Sequence, residues 1–322
     1  MIIPWLDWAS LAIRWLHLAA GIAWIGTSFY FIWLDRSLRA RENLPTGVQG
    51  ESWSVHGGGF YHVQKYAVAP EALPDDLHWF KYEAYFTWLS GFALLIVLYY
   101  FGASTYLIDS TRADLTPTMA ISISVAFLIG SWGLYEALCR SPIGRSTTVL
   151  ASSVLVLILV SAFLLTQIFS DRAAFLHVGA LIGTIMSANV FVVIIPNQKK
   201  VVADLLEKKL PDPSLGAHAR QRSLHNNYLT LPVLLLMVSA HYPLLFSGGA
   251  AWGWLVVGFI IVIGAIVRHF FNTHHTGGRG VQLIWQWPLA IILGLGLIFF
   301  IASRNQLHFD GQVSDNQAFN IV

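Results

Sequence analysis

The feature that most constrains this chain is a series of apolar runs, each long enough to cross a lipid bilayer. A run of roughly 18 or more apolar residues with few charges is typical of a transmembrane helix. Hydrophobic residues make up 56% of the 322 residues and charged residues only 11%, which excludes an ordinary soluble protein. We therefore predict an all-α integral membrane protein with eight transmembrane helices, at residues 8–34, 84–107, 119–138, 146–169, 173–196, 226–247, 252–272 and 281–302.

The basic residues predict how these spans are oriented. Fifteen of the 19 Lys and Arg residues fall in one set of connections between the spans, and the other four fall on the opposite side. Because Lys and Arg collect in cytoplasmic loops, both termini should lie outside, which makes the chain N-out and C-out. The long connection at residues 36–82 is then a cytoplasmic loop.

A sequence similarity between the first and fifth spans predicts an internal repeat. Residues 16–25 and 176–185 are identical at one Leu, one His, one Ala and two Ile positions in the same register. Since both spans run from outside to inside, they predict a 4+4 parallel pseudo-repeat about an axis along the membrane normal. The repeat places His17 and His177 at the same depth on symmetry-related helices.

Two histidines at matched depth suggest a cofactor. An ionisable side chain inside an apolar span is costly and marks a function by default. His17 and His177 could bind a b-type haem through both axial positions, making them candidate metal ligands. Gly21 and Trp24 share the face of His17, and the small residue leaves room for a flat macrocycle. His241 is a rival outer ligand to His177, and the alternative is that each histidine only hydrogen-bonds a neighbouring helix.

A second concentration of polar residues is predicted at the cytoplasmic ends of spans two, six and seven. Its members are Lys81 before span two, His225, Asn226, Asn227 and Tyr228 in span six, and Arg268 and His269 in span seven. A pocket lined by imidazoles, amides and cations could hold a flat, anionic, hydrogen-bonding substrate. It could also hold a second haem on His225 and His269, or the residues could only anchor the helices at the membrane interface.

The cytoplasmic loop carries glycines, aromatic residues and histidines in close succession. His56 is followed by three glycines, a pattern that suggests backbone packed closely onto a ligand or onto the helix ends. The alternative is an ordered cap with no chemistry. The single cysteine, Cys139, excludes internal disulfides and any C-x-x-C-H haem attachment within these residues. The sequence also contains no phosphate-binding glycine loop, no His-Glu-x-x-His motif and no nucleic-acid-binding module.

Several segments carry a resemblance to known families. The segment 15–26 looks like the first span of the membrane haem family that contains copper-resistance protein D and protoporphyrinogen oxidase J. Four further segments, 56–61, 77–81, 86–91 and 225–232, read HGGGFY, LHWFK, FTWLSG and HNNYLTLP. Through these segments, and over nearly the whole chain, the sequence more closely resembles the membrane domain of the bacterial cytochrome c-linked urate oxidases.

The resemblance implies a domain organisation and an activity. Residues 1–303 would form the eight-span membrane domain, and residues 304–322 a periplasmic linker to a cytochrome c domain, carrying haem c, that is absent from this sequence. The implied reaction is oxidation of urate to 5-hydroxyisourate in the bacterial inner membrane, with electrons passing through haem b to cytochrome c. Both termini would be periplasmic.

Placement alone, rather than the resemblance, assigns the residue roles. We expect His225, His269 and Lys81 to be catalytic, and we expect the substrate to contact Asn226, Asn227, Tyr228, His56 and Arg268. Two other classes remain open, a purine transporter and another haem-b membrane oxidoreductase. A copper protein is disfavoured because the chain has only four Met and one Cys.

Overall fold

The computed structural model describes residues 4–70, 73–246, 249–274 and 284–309 of the chain. Its helices and strands, in chain order, are α1 (Trp5–Ser37), β1 (Val48–His56), β2 (Gly59–Tyr66), α2 (Tyr82–Leu95), α3 (Pro117–Arg140), α4 (Thr147–Ile168), α5 (Asp171–Ala188), α6 (Ile195–Leu206), α7 (Pro213–Val238), α8 (Gly253–His274) and α9 (Gln286–Phe309). The predicted linker falls largely on residues 310–322, which lie outside the described part of the chain, as do residues 281–283 of the last predicted span.

Two of these helices continue beyond the bounds just given through wider, π-helical turns. Helix α2 continues through Ile96–Tyr100, and a second such turn follows at Ala103–Leu107. Helices α5 and α6 are joined without a break by the turn Asn189–Ile194, so that Asp171–Leu206 is one long helix. A π-helical turn is frequently found at a functional site. Asn189 opens the last of these turns.

Seven of the helices in the described ranges are long and apolar enough to cross a membrane. They coincide with seven of the eight predicted spans, and this arrangement is compatible with a multi-pass membrane protein. The predicted span at 226–247 is the exception. The eight-span count, the 4+4 repeat and the orientation of the termini therefore stay predictions.

The helix at that exceptional position, α7, is the most polar of the long helices. It begins at Pro213 rather than at residue 226, because Asp212 caps it by accepting a hydrogen bond from the Ser214 amide at 2.8 Å. This hydrogen bond lowers the pKa of Asp212. Helix α7 packs against both α5 and α8. Hydropathy alone marks only its apolar second half, so the helix begins before the predicted span, whose bounds stay a prediction.

The buried core lies between α3, α4, α5, α7 and α8. Leu150, Ile158, Leu181 and Leu236 are among its fully buried side chains. Helix α1 packs mainly on α2 and leaves large apolar side chains facing outward, with Trp15 76% exposed. Outward-facing apolar side chains on a peripheral helix are what contact with lipid requires.

The loop between α1 and α2 contains a β-hairpin, which the all-α prediction did not include. Strands β1 and β2 pair antiparallel, with His56 opposite Gly59 at the tip. Gly57 and Gly58 both have positive φ, 58° and 82°, which is the geometry of a two-residue type I′ turn. The glycines after His56 therefore make a hairpin turn. The base of the hairpin contacts the end of α1, where Lys65 forms a 2.6 Å ion pair with Asp35.

Candidate functional site

Four consecutive polar residues of α7, His225–Tyr228, point to three different helices. His225 contacts α3, Asn226 contacts α5, and Asn227 and Tyr228 contact α8. This divergence follows from the helix geometry, because successive residues are about 100° apart around the axis. The structure therefore divides the single predicted pocket into two clusters on different sides of α7.

The first cluster, which we call the Arg268 site, lies between α7, α8 and α1. Arg268 is 5% exposed, its Nε donates a hydrogen bond to Asn227 Oδ1, and its guanidinium carbon lies 3.9 Å from the centre of the Phe29 ring. Asn227 Nδ2 in turn donates to Asn272 Oδ1 at 3.3 Å. Arg268 forms no salt bridge with any described residue. The site thus offers a buried positive charge, flanked by two amides, with no carboxylate partner among the described residues.

A tyrosine–histidine pair accompanies the Arg268 site. Tyr228 Oη and His269 Nδ1 lie 2.8 Å apart in a hydrogen bond, and their rings are inclined by only 25°. The ring centre of Trp285, which directly precedes α9, lies 6.2 Å from that of His269. His269 Nε2 has no hydrogen bond to a residue in the described ranges. The pair supplies flat aromatic surfaces and one imidazole nitrogen that can exchange a proton.

The second cluster, which we call the Tyr135 cluster, joins α3, the α5–α6 turn and α7. Its hydrogen bonds have a fixed direction, because the Met186 carbonyl can only accept the one from Asn226 Nδ2, at 2.9 Å. Asn226 Oδ1 must then accept from Asn189 Nδ2, which also donates to Tyr135 Oη at 3.0 Å. Because Tyr135 Oη already accepts from Asn189, we assign Tyr135 as the donor to His225 Nδ1, at 2.7 Å. With this assignment, a neutral His225 carries its proton on Nε2.

This direction of hydrogen bonding bears on the predicted roles of His225. A haem ligand binds iron through a bare ring nitrogen while the other nitrogen keeps its proton. In His225, the nitrogen that lacks a proton is already occupied by Tyr135. The arrangement fits neither a second haem nor a general base acting through Nε2.

Beside the Tyr135 cluster, Arg222 shows how this protein pairs a buried cation. Arg222 is 2% exposed and its Nη2 lies 2.9 Å from Glu136 Oε2. Its guanidinium carbon is 5.5 Å from the centre of the Tyr135 ring. Glu136 also pairs with the exposed Arg140 at 2.6 Å. Arg222 is thus compensated by a carboxylate.

His17 has the protonation that a haem ligand needs. Its Nδ1 donates to the Thr87 carbonyl oxygen of α2 at 2.9 Å, which leaves a lone pair on Nε2. Gly91 lies against the imidazole, and the adjacent face of α1 includes Gly21, close to the Thr87 methyl group, and the partly buried Trp24. His17 therefore fits an axial ligand.

His177, the predicted partner of His17, fits less well. It is 1% exposed, its Nδ1 donates to the Ala173 carbonyl at 2.7 Å, and its Nε2 lies 2.7 Å from Ser124 Oγ. The lone pair of Nε2 is therefore engaged by a hydroxyl group that haem iron would have to displace. His17 contacts α2 whereas His177 contacts α3, so the two predicted equivalents have non-equivalent surroundings. His241, the rival ligand, is exposed in a short turn after α7.

The two predicted loop residues lie apart from both clusters in their described contacts. Lys81 precedes α2, and its ammonium group lies 4.8 Å from the centre of the neighbouring Tyr82 ring. His56 is exposed at the tip of the hairpin. Among the described contacts, none joins either residue to Arg268 or to His225.

Sequence reasoning missed three members of these clusters: Phe29, Tyr135 and Asn189. Asn189 was detectable, since it is a lone amide inside the apolar run 173–196 and a polar group at such a place needs a partner. Phe29 and Tyr135 were not, because aromatic residues are common in apolar helices.

Comparison with known proteins supplies the family. The model of the urate oxidase N-terminal family matches residues 4–302, which include both clusters and His17. No curated protein and no solved structure matches the chain. The family indicates the general class of the protein, an oxidoreductase of the urate oxidase type. With the match extending over nearly all of its length, the chain belongs to the urate oxidase N-terminal family.

Proposed function

We propose that this protein binds the urate anion at the Arg268 site and oxidises it to 5-hydroxyisourate within the membrane. The observation that carries the proposal is the Arg268 guanidinium, which is buried and has no carboxylate partner among the described residues. A charge within a membrane helix costs about 2.5–3.5 kcal/mol on insertion scales and usually marks a substrate path. An anionic substrate would offset that cost.

The groups at the site suit the shape of urate. Urate is planar, carries a negative charge near neutral pH and displays alternating N–H and C=O groups along its edges. The Arg268 guanidinium presents a planar fork of N–H donors, which recognises such an edge better than an ammonium group would. Asn227 and Asn272 add amides, and Tyr228 and His269 add flat surfaces.

The reaction releases protons and electrons. Urate and one water give 5-hydroxyisourate, two protons and two electrons, as the water oxygen bonds to C5 of the purine. His269 is the proposed general base, because an imidazole exchanges protons near neutral pH and its Nε2 lacks a described partner. Tyr228 receives no hydrogen bond from another described residue, so His269 Nδ1 is free to donate to Tyr228 Oη, which leaves Nε2 without a proton. His225 does not take this role, because Tyr135 already accepts from Asn189 and is assigned as the donor to His225 Nδ1.

The electrons require an acceptor inside the membrane. A b-type haem on His17, with His177 as the predicted second ligand, would supply one-electron chemistry there. The proposed final acceptor is a cytochrome c, carrying haem c, on the periplasmic side of the bacterial inner membrane. This setting keeps the eight-span, N-out and C-out arrangement as part of the proposal.

Anaerobic urate turnover tests the proposal. Purified protein in lipid nanodiscs is mixed with urate and oxidised cytochrome c, and urate loss and cytochrome reduction are followed together. The wild type should reduce two cytochromes for each urate consumed. Arg268→Gln should raise the urate Kd about 30-fold or more, since loss of one partner of a buried charged contact costs 2–5 kcal/mol.

Arg304→Gln is the matched control. Arg304 also stacks on an aromatic ring, 4.2 Å from the centre of Trp252, but it lies outside the Arg268 site. It should bind urate as the wild type does. Accumulation of unchanged urate inside vesicles, without cytochrome reduction, would instead identify a purine transporter.

A further inference from the structure

Two buried polar atoms on neighbours of Tyr135 have no hydrogen-bond partner among the described residues, and the proposed function does not use them. They are Asn189 Oδ1, an acceptor on a fully buried residue, and Arg222 Nε, a donor on a residue that is 2% exposed. Both residues are neighbours of Tyr135. Leaving a buried donor or acceptor unsatisfied costs about 1–3 kcal/mol each.

Exchanging the positions of Oδ1 and Nδ2 in the Asn189 amide would leave Oδ1 facing Asn226 Oδ1, which is not a hydrogen-bond donor. Its Nδ2 donates to both Asn226 Oδ1 and Tyr135 Oη, and Asn226 is itself fixed by the Met186 carbonyl. Asn189 Oδ1 must therefore find a donor from outside the side chains described here. Water satisfies such groups in protein interiors, typically with about three hydrogen bonds.

We propose that water bound in the Tyr135 cluster donates to Asn189 Oδ1 and accepts from Arg222 Nε, and that Tyr135 and His225 relay protons from it. In the relay, the bound water takes up a proton released by urate oxidation as it gives one of its own protons to Tyr135 Oη and the tyrosine proton passes to His225 Nδ1. The proton on His225 Nε2 then leaves toward the water layer at the helix ends. Water and Tyr135 each lose one O–H bond and gain one, His225 exchanges its Nε2–H bond for an Nδ1–H bond, the outgoing proton bonds to solvent water, and no electron moves.

The relay rests on the proposed function, because urate oxidation releases two protons inside a low-dielectric bundle. The hydrogen bonds run in one direction, with Asn189 donating to Tyr135 and Tyr135 donating to His225. Tyr135 is a positioning and relay residue and does not touch the substrate.

A high-resolution cryo-EM map of the full chain tests the hydration site without any activity measurement. We expect ordered water density within hydrogen-bond distance of both Asn189 Oδ1 and Arg222 Nε. A map that resolves other internal waters but shows none there would overturn the proposal.

Kinetics with Tyr135→Phe test the relay. This variant keeps the ring and removes the hydroxyl group, and we expect kcat to fall about a hundredfold while the urate KM is unchanged. The solvent deuterium isotope effect on kcat should rise, since proton transfer becomes limiting. Ser131→Ala is the control, because Ser131 is buried on the same helix one turn away and bonds only to the carbonyl of Phe127 among the described residues.

The outcomes separate the relay from the proposed function. A wild-type kcat in Tyr135→Phe, or a lower kcat with an unchanged isotope effect, would refute the relay while urate oxidation stands. A wild type that does not oxidise urate would refute the proposed function, and the cryo-EM map would still decide the hydration site. If Tyr135→Phe does not fold, His225→Asn provides the second variant with the same expected kcat and isotope effects.

Discussion

The guanidinium group of Arg268 lies 3.9 Å above the ring of Phe29, so a buried cation of α8 rests on an aromatic face of α1. Stacking on an aromatic ring contributes roughly 2 kcal/mol when the pair is desolvated, which is less than the cost of burying an unpaired charge. Arg268 is therefore expected to lower the free energy of unfolding of the unliganded protein, while enabling it to bind an anion.

Replacing Arg268 with methionine should separate stability from binding. We expect Arg268→Met to be about 1–3 kcal/mol more stable than the wild type in the absence of urate, because a buried charge is removed and its volume is kept. Urate at a hundred times its Kd should stabilise the wild type by about 2.7 kcal/mol and the variant not at all. Thermal unfolding with and without urate measures both effects. Equal urate stabilisation of the two proteins would show that urate binds elsewhere.

The contact between Gly91 and His17 predicts how the proposed haem site can be disturbed by a substitution on α2. A Cβ atom at Gly91 would lie 2.8 Å from His17 Cε1, so the ring has to move and its bond to the Thr87 carbonyl is strained. We expect Gly91→Ala to shift or weaken the haem absorbance and His17→Ala to abolish it, as measured by reduced-minus-oxidised visible spectra. Gly26→Ala, with no atom within 4 Å, should leave the spectrum unchanged. A normal spectrum in His17→Ala would reject His17 as a ligand.

The crossing of α7 and α8 depends on a glycine. A Cβ atom at Gly264 would lie 2.7 Å from Pro232 Cδ and 3.1 Å from its backbone nitrogen, so the two helices have to separate. We expect Gly264→Ala to destabilise the protein by about 1–3 kcal/mol. It should also weaken urate binding, because Arg268 lies one turn further along α8 and must reach Asn227 on α7. Thermal unfolding and urate titration check both, with Gly294→Ala, which has open space around it, as the control.

The hairpin should respond to acid through Glu51. The hydrogen bond from His62, at 2.7 Å, lowers the pKa of Glu51 below its usual value. A carboxyl group whose pKa is lowered by folding stabilises the hairpin above the ordinary glutamate value of about 4.3, and this stabilisation is lost as the pH falls through the lower folded value. Cleavage of the hairpin by pepsin should therefore accelerate as the pH is lowered below about 4.3.

Two variants control for the acid sensitivity of the protease itself. Glu51→Gln removes the titrating group, and its hairpin cleavage should be fast and should follow only the intrinsic pH profile of pepsin. Glu42→Gln changes an exposed residue of the same loop and should behave as the wild type does. A wild-type pH response in Glu51→Gln would exclude Glu51 as the group responsible.

Apolar length was the part of the fold that the sequence predicted well. Seven predicted spans coincide with long apolar helices, because an apolar run of this length is typical of a membrane-crossing helix. Most bounds agree to within a few residues, but the predicted span 173–196 stops short of Leu206, where its helix ends. The hairpin was not predicted, although the Gly57–Gly58 pair between two alternating segments is a known signal for a type I′ turn. Because the composition indicated a membrane protein, only helices were predicted.

Polar residues of the candidate site were named from the sequence, but their division into two clusters was not predicted. The polar residues of α7 and α8 were identified, yet His225 and Arg268 were assigned to one pocket and lie in separate clusters. Which neighbour a residue meets depends on the rotation of its helix and on which helices surround it. Both are decided by packing across the whole bundle, so a single sequence does not reveal that Tyr135 and Phe29 are the partners.

The polar character of α7 also bears on which side of the membrane each end of the protein occupies. An odd number of crossings leaves the two ends of a chain on opposite sides of a bilayer, and an even number leaves them on the same side. In the described part of the chain, seven helices are long and apolar enough to cross a membrane, and α7, at Pro213–Val238, makes the number eight if it crosses. The amides and the imidazole that α7 contributes to the two clusters lower its hydropathy, so that hydropathy alone does not detect it as a span. Whether α7 crosses determines whether both ends of the chain lie on the same side of the membrane, the side on which the proposed electron acceptor must dock.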